Sequence, residues 1–321
     1  MGFAGVGSPR NKLKKEDIMR RLWTGCGTAL VTPFNRDGSV DEAGVRRLAK
    51  RQIDAGIHFL VPCGTTGESP TLSEEERTRV VQICVEEARG KVPVLAGAGG
   101  YDTREVVHAA RQMERAGANG LLSVTPYYNK PTPDGLIQHY KAIADSTPLP
   151  IIVYNVPGRT GCNIDPATLV RLAAIPNIIG VKEASGNIQQ MCEICRSVPS
   201  DFIVLSGDDA ITLPLMSVGG RGVISVASNE VPKEMSQMVE AAERGDFAAA
   251  RKLHAALLPL MLVNFVESNP IPVKAAMAAM GLLDEVFRLP MVPPRAESRA
   301  KIVAVLNEMG LVKGVSARVS A

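Results

Sequence analysis

Asn177-Ile178-Ile179-Gly180-Val181-Lys182-Glu183-Ala184-Ser185-Gly186 decides the reading of this chain. An apolar, β-branched run that stops at a lysine and turns through Ser-Gly into a helical pattern reads as one buried strand of a parallel sheet. Four apolar neighbours would desolvate an ammonium there, which favours the neutral amine. A neutral amine attacks carbonyl carbons and forms Schiff bases. The alternative is a strand-end lysine whose head reaches water along its own stem.

The same unit repeats in both directions from Lys182. The predicted strands are Thr28–Thr32, His58–Pro62, Val94–Gly97, Gly120–Val124, Ile151–Asn155, Ile178–Lys182, Phe202–Ser206 and Gly222–Ser225. Amphipathic stretches lie between them. Asp41–Ala55 ends at Gly56, Ser73–Arg89 opens with a Ser73-Glu74-Glu75-Glu76 capping box and ends at Gly90, and Thr103–Ala116 runs into Gly117. Strand then helix, repeated eight times over roughly 200 residues, predicts an α/β fold closed as a (β/α)8 TIM barrel. Residues beyond the eighth strand are almost all helical in pattern: Pro232–Arg244, Phe247–Phe265, Pro272–Met280 and Arg295–Met309. The predicted organisation is an N-terminal extension over 1–20, loosely ordered, a catalytic barrel over 21–245 and a C-terminal helical extension over 246–321.

Composition narrows the function. Of 321 residues, 45% are hydrophobic and 21% charged, which suits a globular protein, and a net charge of +3 spread along the chain gives no footprint for nucleic acid. No apolar stretch reaches the roughly 18 residues of a membrane span. The longest, Ala255 to Val266, is broken by Pro259 and Asn264 and reads as a buried helix. The first residues lack the apolar core of a secretory signal, so the expected location is the cytoplasm. Cys192-Glu193-Ile194-Cys195 is a lone CxxC with no second pair or neighbouring histidine, and the four histidines are scattered, so no metal is expected.

Barrels of this type carry their active sites at the C-terminal strand ends. Those ends read Cys63-Gly64-Thr65-Thr66-Gly67-Glu68-Ser69, Thr125-Pro126-Tyr127-Tyr128-Asn129-Lys130, Tyr154-Asn155-Val156-Pro157-Gly158-Arg159-Thr160, Lys182 and Ser206-Gly207-Asp208-Asp209. Gly64 to Gly67 offers N–H groups and hydroxyls for a small carboxylate or phosphate, or is only a turn. Tyr154 stands where its phenol could exchange a proton with the Lys182 strand, or is a core aromatic with its hydroxyl at the rim. Arg159 is either a fork for a substrate carboxylate or a solvated loop residue. The Gly219-Gly220-Arg221-Gly222 turn before strand eight is a flexible turn or a phosphate site.

These motifs carry a resemblance. From about Gly25 to about Glu308 the chain resembles the dihydrodipicolinate synthase family, within the pyruvate-dependent Schiff-base aldolase superfamily that also holds N-acetylneuraminate lyase. The matching runs are Gly27 to Phe34, Gly64 to Ser69, Pro126 to Pro131, Tyr154 to Thr160, Gly180 to Ala184, Ser206 to Asp209, Gly222 to Ser225 and Glu267 to Lys274. The resemblance implies condensation of pyruvate with L-aspartate-4-semialdehyde, a step toward diaminopimelate and lysine, with no cofactor. It implies that Lys182 forms the imine, that Thr65 and Thr66 hold the pyruvate carboxylate, and that Tyr154 moves protons with Thr65 and a neighbouring subunit's Tyr128. It further implies that Gly207 and Ile224 border the pyruvate pocket, that Arg159 binds the semialdehyde carboxylate, and that the protein is a homotetramer built as a dimer of dimers. The alternative is a sister aldolase or lyase acting on a sugar acid; the intact Tyr154 to Thr160 run speaks against it.

Many relatives are inhibited by lysine between subunits. The corresponding positions are Ser69, Pro70, Glu74, Arg77, Tyr101, Glu105 and Tyr127. Glu74, Arg77 and Tyr101 depart from the inhibited pattern. Arg77 places a cation where the ligand's ammonium would sit, so weak or absent feedback is expected.

Overall fold

The computed structural model describes residues 23–312. The predicted extension over 1–20 lies outside the described residues. Eight parallel strands form one sheet: β1 (Gly25–Ala29), β2 (Phe59–Val61), β3 (Leu95–Gly97), β4 (Gly120–Val124), β5 (Ile151–Asn155), β6 (Ile178–Glu183), β7 (Ile203–Ser206) and β8 (Gly222–Ser225). The order β2-β1-β8-β7-β6-β5-β4-β3 closes through a Leu60–Val94 bridge, in which Leu60 N donates to Pro93 O at 3.0 Å. This is the (β/α)8 barrel expected from the strand–helix alternation.

Side-chain parity divides the core in two. Phe59, Val61, Leu95, Leu122, Ile152, Tyr154, Ile203, Leu205 and Ile224 fill the barrel lumen. Val153, Val181, Val204 and Val223 face outward onto the helices. Alternation with a period of two produces this partition.

One strand breaks the alternation, and the break sets the chemistry. Ile151 pairs with Ile178, but the next residue, Ile152, pairs with Gly180, so Ile179 is the extra residue of a bulge. Ile178 and Val181 face the helices while Ile179 packs in the lumen. Were the same sequence a regular strand, parity counted from Ile178 would send position 182 outward; the bulge turns Lys182 inward, directly opposite Tyr154. Gly180 makes the bulge possible. A Cβ there would sit 2.6 Å from Ile203 O.

The helices follow their capping signals. Those of the barrel are α1 (Glu42–Asp54), α2 (Glu74–Ala88), α3 (Thr103–Arg115), α4 (Pro133–Ala144), the single turn α5 (Pro157–Thr160), α6 (Pro166–Ala173), α7 (Ile188–Ser197), α8 (Thr212–Ser217) and α9 (Pro232–Glu243). Asp41 caps α1 through Gly44 N, and α2 starts with the Ser73–Glu76 capping box. Beyond the barrel lie α10 (Phe247–Val263), α11 (Ile271–Ala279) and α12 (Ala296–Glu308), and α12 packs on both α10 and α11.

Two expectations need correction, and of the two readings of the Gly219–Gly222 turn only the plain turn remains. Strand one begins and ends three residues earlier than predicted. Its glycines are required there, because a Cβ on Gly27 would overlap the Phe59 ring, and after Leu30, whose N donates to Val61 O, a side chain takes over the backbone bonding: Asn229 Oδ1 accepts from Val31 N at 3.2 Å. The apolar run ending at Val266 is buried on one face only; Leu260 and Met261 are covered while Leu262 and Phe265 are exposed. The Gly219–Gly222 turn precedes β8 and so lies at the N-terminal end of the barrel, away from the strand ends that carry the rim motifs. Its backbone is spent on the sheet edge, with Arg221 N donating to Val204 O.

Candidate active site

Lys182 and Tyr154 are cross-strand partners on β6 and β5, and Lys182 Nζ lies 4.2 Å from the centre of the Tyr154 ring. Both side chains are buried, at 5% and 6% exposure. Among the described residues no carboxylate lies within ion-pairing distance of Lys182. The adjacent Glu183 is turned to the outer side, where it accepts from Asn155 Nδ2 at 2.8 Å and Ser185 N at 2.7 Å. The amine therefore enters the lumen without an acidic partner, and the reading of it as a solvent-reaching strand-end lysine does not hold.

Gly207 is the floor beside that amine. A Cβ on Gly207 would stand 2.6 Å from Ala184 Cβ and 3.0 Å from Lys182 Cε. Only a hydrogen fits. Ile224, fully buried on β8, packs in the same lumen.

A cavity of about 250 Å³ opens beside Tyr154; Lys182, Gly207 and Ile224 are not among the residues that line it. Its walls include Thr65, Tyr154, Val156, Arg159 and Thr160, together with Ser69, Pro70, Arg77 and Tyr127. The Thr65–Thr66 loop is held in a tight turn: Gly67 N and Ser69 N donate to Gly64 O, Glu68 N donates to Thr65 O, and Thr32 Oγ1 donates to Gly67 O at 2.7 Å. Among the described residues the N–H groups of Thr65 and Thr66 donate to nothing. Two adjacent free N–H groups beside a hydroxyl form a carboxylate cradle. Cys63 also lines the cavity, but burial pushes its thiol up to about 12, so it stays protonated and is a poor nucleophile.

Arg159, on α5, lines the cavity mouth and donates through Nη2 to Asn269 O at 3.1 Å. Thr65 and Tyr154 share the cavity wall, yet no hydrogen bond joins their hydroxyls among the described residues. Tyr128 is not part of this cavity. It is 91% exposed with a left-handed backbone (φ 70°), a strained conformation for a bulky residue.

The seven positions of the expected lysine site fall together only in part. Tyr101 stacks edge-on against Tyr127 with ring centres 5.2 Å apart. Burial, reinforced by Tyr101 and Glu105, lifts the Tyr127 phenol above its usual value. Glu74 is engaged by His108 Nε2 at 3.1 Å.

Sequence reasoning gave Asn269 no role, although it quoted the Glu267 to Lys274 run. Asn269 Nδ2 donates to Thr66 Oγ1 at 2.9 Å across 203 residues of sequence. An Asn-Pro step among apolar helices was the only local signal.

The model of the dihydrodipicolinate synthetase family matches residues 23–309. The 4-hydroxy-tetrahydrodipicolinate synthase of Koribacter versatilis is 55% identical over 293 residues, covering 91% of this chain and 98% of that protein. Dihydrodipicolinate synthase from Thermotoga maritima superposes with a TM-score of 0.89 at 46% identity, covering 91% of this chain and 100% of that one. The chloride-inhibited synthase of Acinetobacter baumannii, solved in complex with pyruvate, gives a TM-score of 0.89 at 42% identity over 90% of this chain and 99% of that one.

Proposed function

This chain belongs to the dihydrodipicolinate synthetase family, and on that premise we propose that it condenses pyruvate with L-aspartate-4-semialdehyde to give 4-hydroxy-tetrahydrodipicolinate and water. One observation carries the assignment of the chemistry to residues. Lys182 faces Tyr154 inside a lumen whose rim presents the free N–H groups of Thr65 and Thr66.

The steps follow from that arrangement. Pyruvate seats its carboxylate on the Thr65 and Thr66 N–H groups and the Thr66 hydroxyl, which brings its C2 carbonyl to Lys182. The neutral amine adds to C2, and the carbinolamine loses water to give an iminium. Tyr154 carries protons in this exchange. The iminium drains density from the methyl group, so a weak base removes a proton and leaves an enamine. The enamine carbon attacks the aldehyde of the second substrate, whose carboxylate Arg159 binds bidentately. The amine of the bound intermediate then displaces Lys182 and closes the ring, returning the lysine free. Lysine is the electron sink throughout. Positioned proton transfer of this kind contributes about 10²–10⁴-fold.

Tyr128 completes the proton path in a neighbouring copy, which supports a homo-oligomer, a tetramer arranged as a dimer of dimers. Its exposure and backbone strain fit a side chain aimed off its own barrel. No helix among the described residues is long and apolar enough to cross a membrane, and we place the enzyme in the cytoplasm. Arg77 and the stacked Tyr101–Tyr127 pair support weak lysine feedback.

Incubation with pyruvate, borohydride reduction and peptide mass spectrometry test the reading. A reduced pyruvyl adduct on Lys182 is expected, and a separate, unreduced sample with pyruvate should turn over when the semialdehyde is added. An unmodified Lys182 would remove the Schiff-base step and the function with it.

A further inference from the structure

We propose that Asn269 is a positioning residue that fixes the Thr66 hydroxyl as a donor toward the pyruvate carboxylate; this rests on the pyruvate reading of the site. Asn269 lies between α10 and α11 and is 5% exposed. Its Nδ2 donates to Thr66 Oγ1 at 2.9 Å, and Thr66 is itself buried. A threonine hydroxyl has one proton and two lone pairs. The amide fills a lone pair, and among the described residues no protein group accepts the proton. The proton is left to point where a ligand acceptor will arrive, beside the free N–H groups of Thr65 and Thr66.

The other end of the amide supports the assignment. Asn269 Oδ1 is buried and has no hydrogen-bond partner. Burying an amide with half its capacity unused is costly. A brace between the C-terminal segment and the barrel would be served equally by any acceptor to which Thr66 donates. What the amide supplies is a donor, and a donor is what keeps the Thr66 proton free.

Asn269 holds both substrates' partners by separable means. Its side chain addresses Thr66, whereas its main-chain oxygen accepts from Arg159. A side-chain substitution therefore acts on pyruvate and spares the semialdehyde.

The test is a pair of variants in two backgrounds, with KM measured for each substrate. Asn269→Leu removes the donor without adding charge; it should raise the pyruvate KM about fivefold and leave the semialdehyde KM within about twofold. In a Thr66→Val background the same substitution should have no further effect, because there is no hydroxyl to orient. Asn269→Asp folds around the same shape. Its ionised form accepts the Thr66 proton and turns it from the substrate, while its protonated form donates as the amide does. The ratio of its pyruvate KM to that of the wild type should fall as pH is lowered. Additive effects of Asn269→Leu and Thr66→Val, equal rises in both KM values, or a pH-independent ratio would each overturn the proposal. If Asn269→Leu fails to fold, the Asn269→Asp ratio decides alone. A wild-type enzyme that gives no borohydride adduct takes the pyruvate reading down as well. A normal adduct with any of the overturning results removes only this role of Asn269.

Discussion

Lys274 Nζ and Glu68 Oε1 form an ion pair at 2.6 Å with both side chains shut off from solvent, at 0% and 2% exposure. Lys274 also donates to Val286 O at 2.7 Å and lies over the Phe34 ring at 4.3 Å. Glu68 directly follows the carboxylate cradle and has a left-handed backbone (φ 52°). The pair therefore pins the cradle to α11. Lys274→Met strands a buried carboxylate and should cost about 3–5 kcal/mol, read from denaturant unfolding. The double variant Lys274→Met/Glu68→Gln should recover much of that loss, since the stranded charge is gone.

Gly207→Ala should disable imine formation while leaving the fold intact. Its Cβ would press on Ala184 Cβ and Lys182 Cε, so the amine must shift. A displacement approaching 1 Å costs about 10²-fold in rate. Borohydride trapping against time, with a melting curve as control, measures both effects.

Tyr128 should act in trans. Tyr128→Phe and Lys182→Ala are each expected to be nearly inactive alone. Hetero-oligomers assembled from the two should regain activity, because some sites receive an intact lysine from one copy and an intact tyrosine from the other. Mixed assemblies as inactive as their parents would assign Tyr128 a purely structural role.

His139 should make the fold acid-sensitive. Burial lowers its imidazole from 6.5 to about 4; its Nδ1 is bonded to Thr103 Oγ1 at 2.9 Å and its Nε2 is buried without a partner. The folded state thus binds the proton less readily than the unfolded chain. Stability from this group is full above pH 6.5 and is lost as pH falls toward 4, a difference of about 3 kcal/mol. His139→Gln should remove that part of the pH dependence in unfolding experiments run across the same window.

Initial rates at physiological lysine concentrations should be unchanged. Arg77 lines the cavity wall, where its cation would repel the ammonium of a lysine bound beside it, and Tyr101 rests against Tyr127. Arg77→His should restore some sensitivity if the arginine charge is the obstacle.

The barrel was legible because eight short apolar runs each stop at a polar group, and the rim was legible because those groups share one end of the sheet. Contacts made across long stretches of sequence were not. Asn269 meets Thr66 across 203 residues and Lys274 meets Glu68 across 206, and nothing local marks either pairing. Strand one was misplaced because glycine weakens a strand pattern; only the Phe59 ring packed on Gly27 explains why glycine is needed there. The inward turn of Lys182 was assumed from its neighbours and depends on an irregularity that alternation rules do not reveal.

That irregularity gives β6 uneven tolerance to changes in length over evolutionary time. Loss of Ile179 would leave a regular strand in which position 182 still meets Tyr154, because the surplus residue is the one removed. Loss of Val181 would keep the same count, but would put Gly180 in place of a side chain that packs on the helices. Lineages can therefore shed one codon between Ile178 and Lys182 and keep the lysine in place, and what differs between the three sites is the packing that is lost.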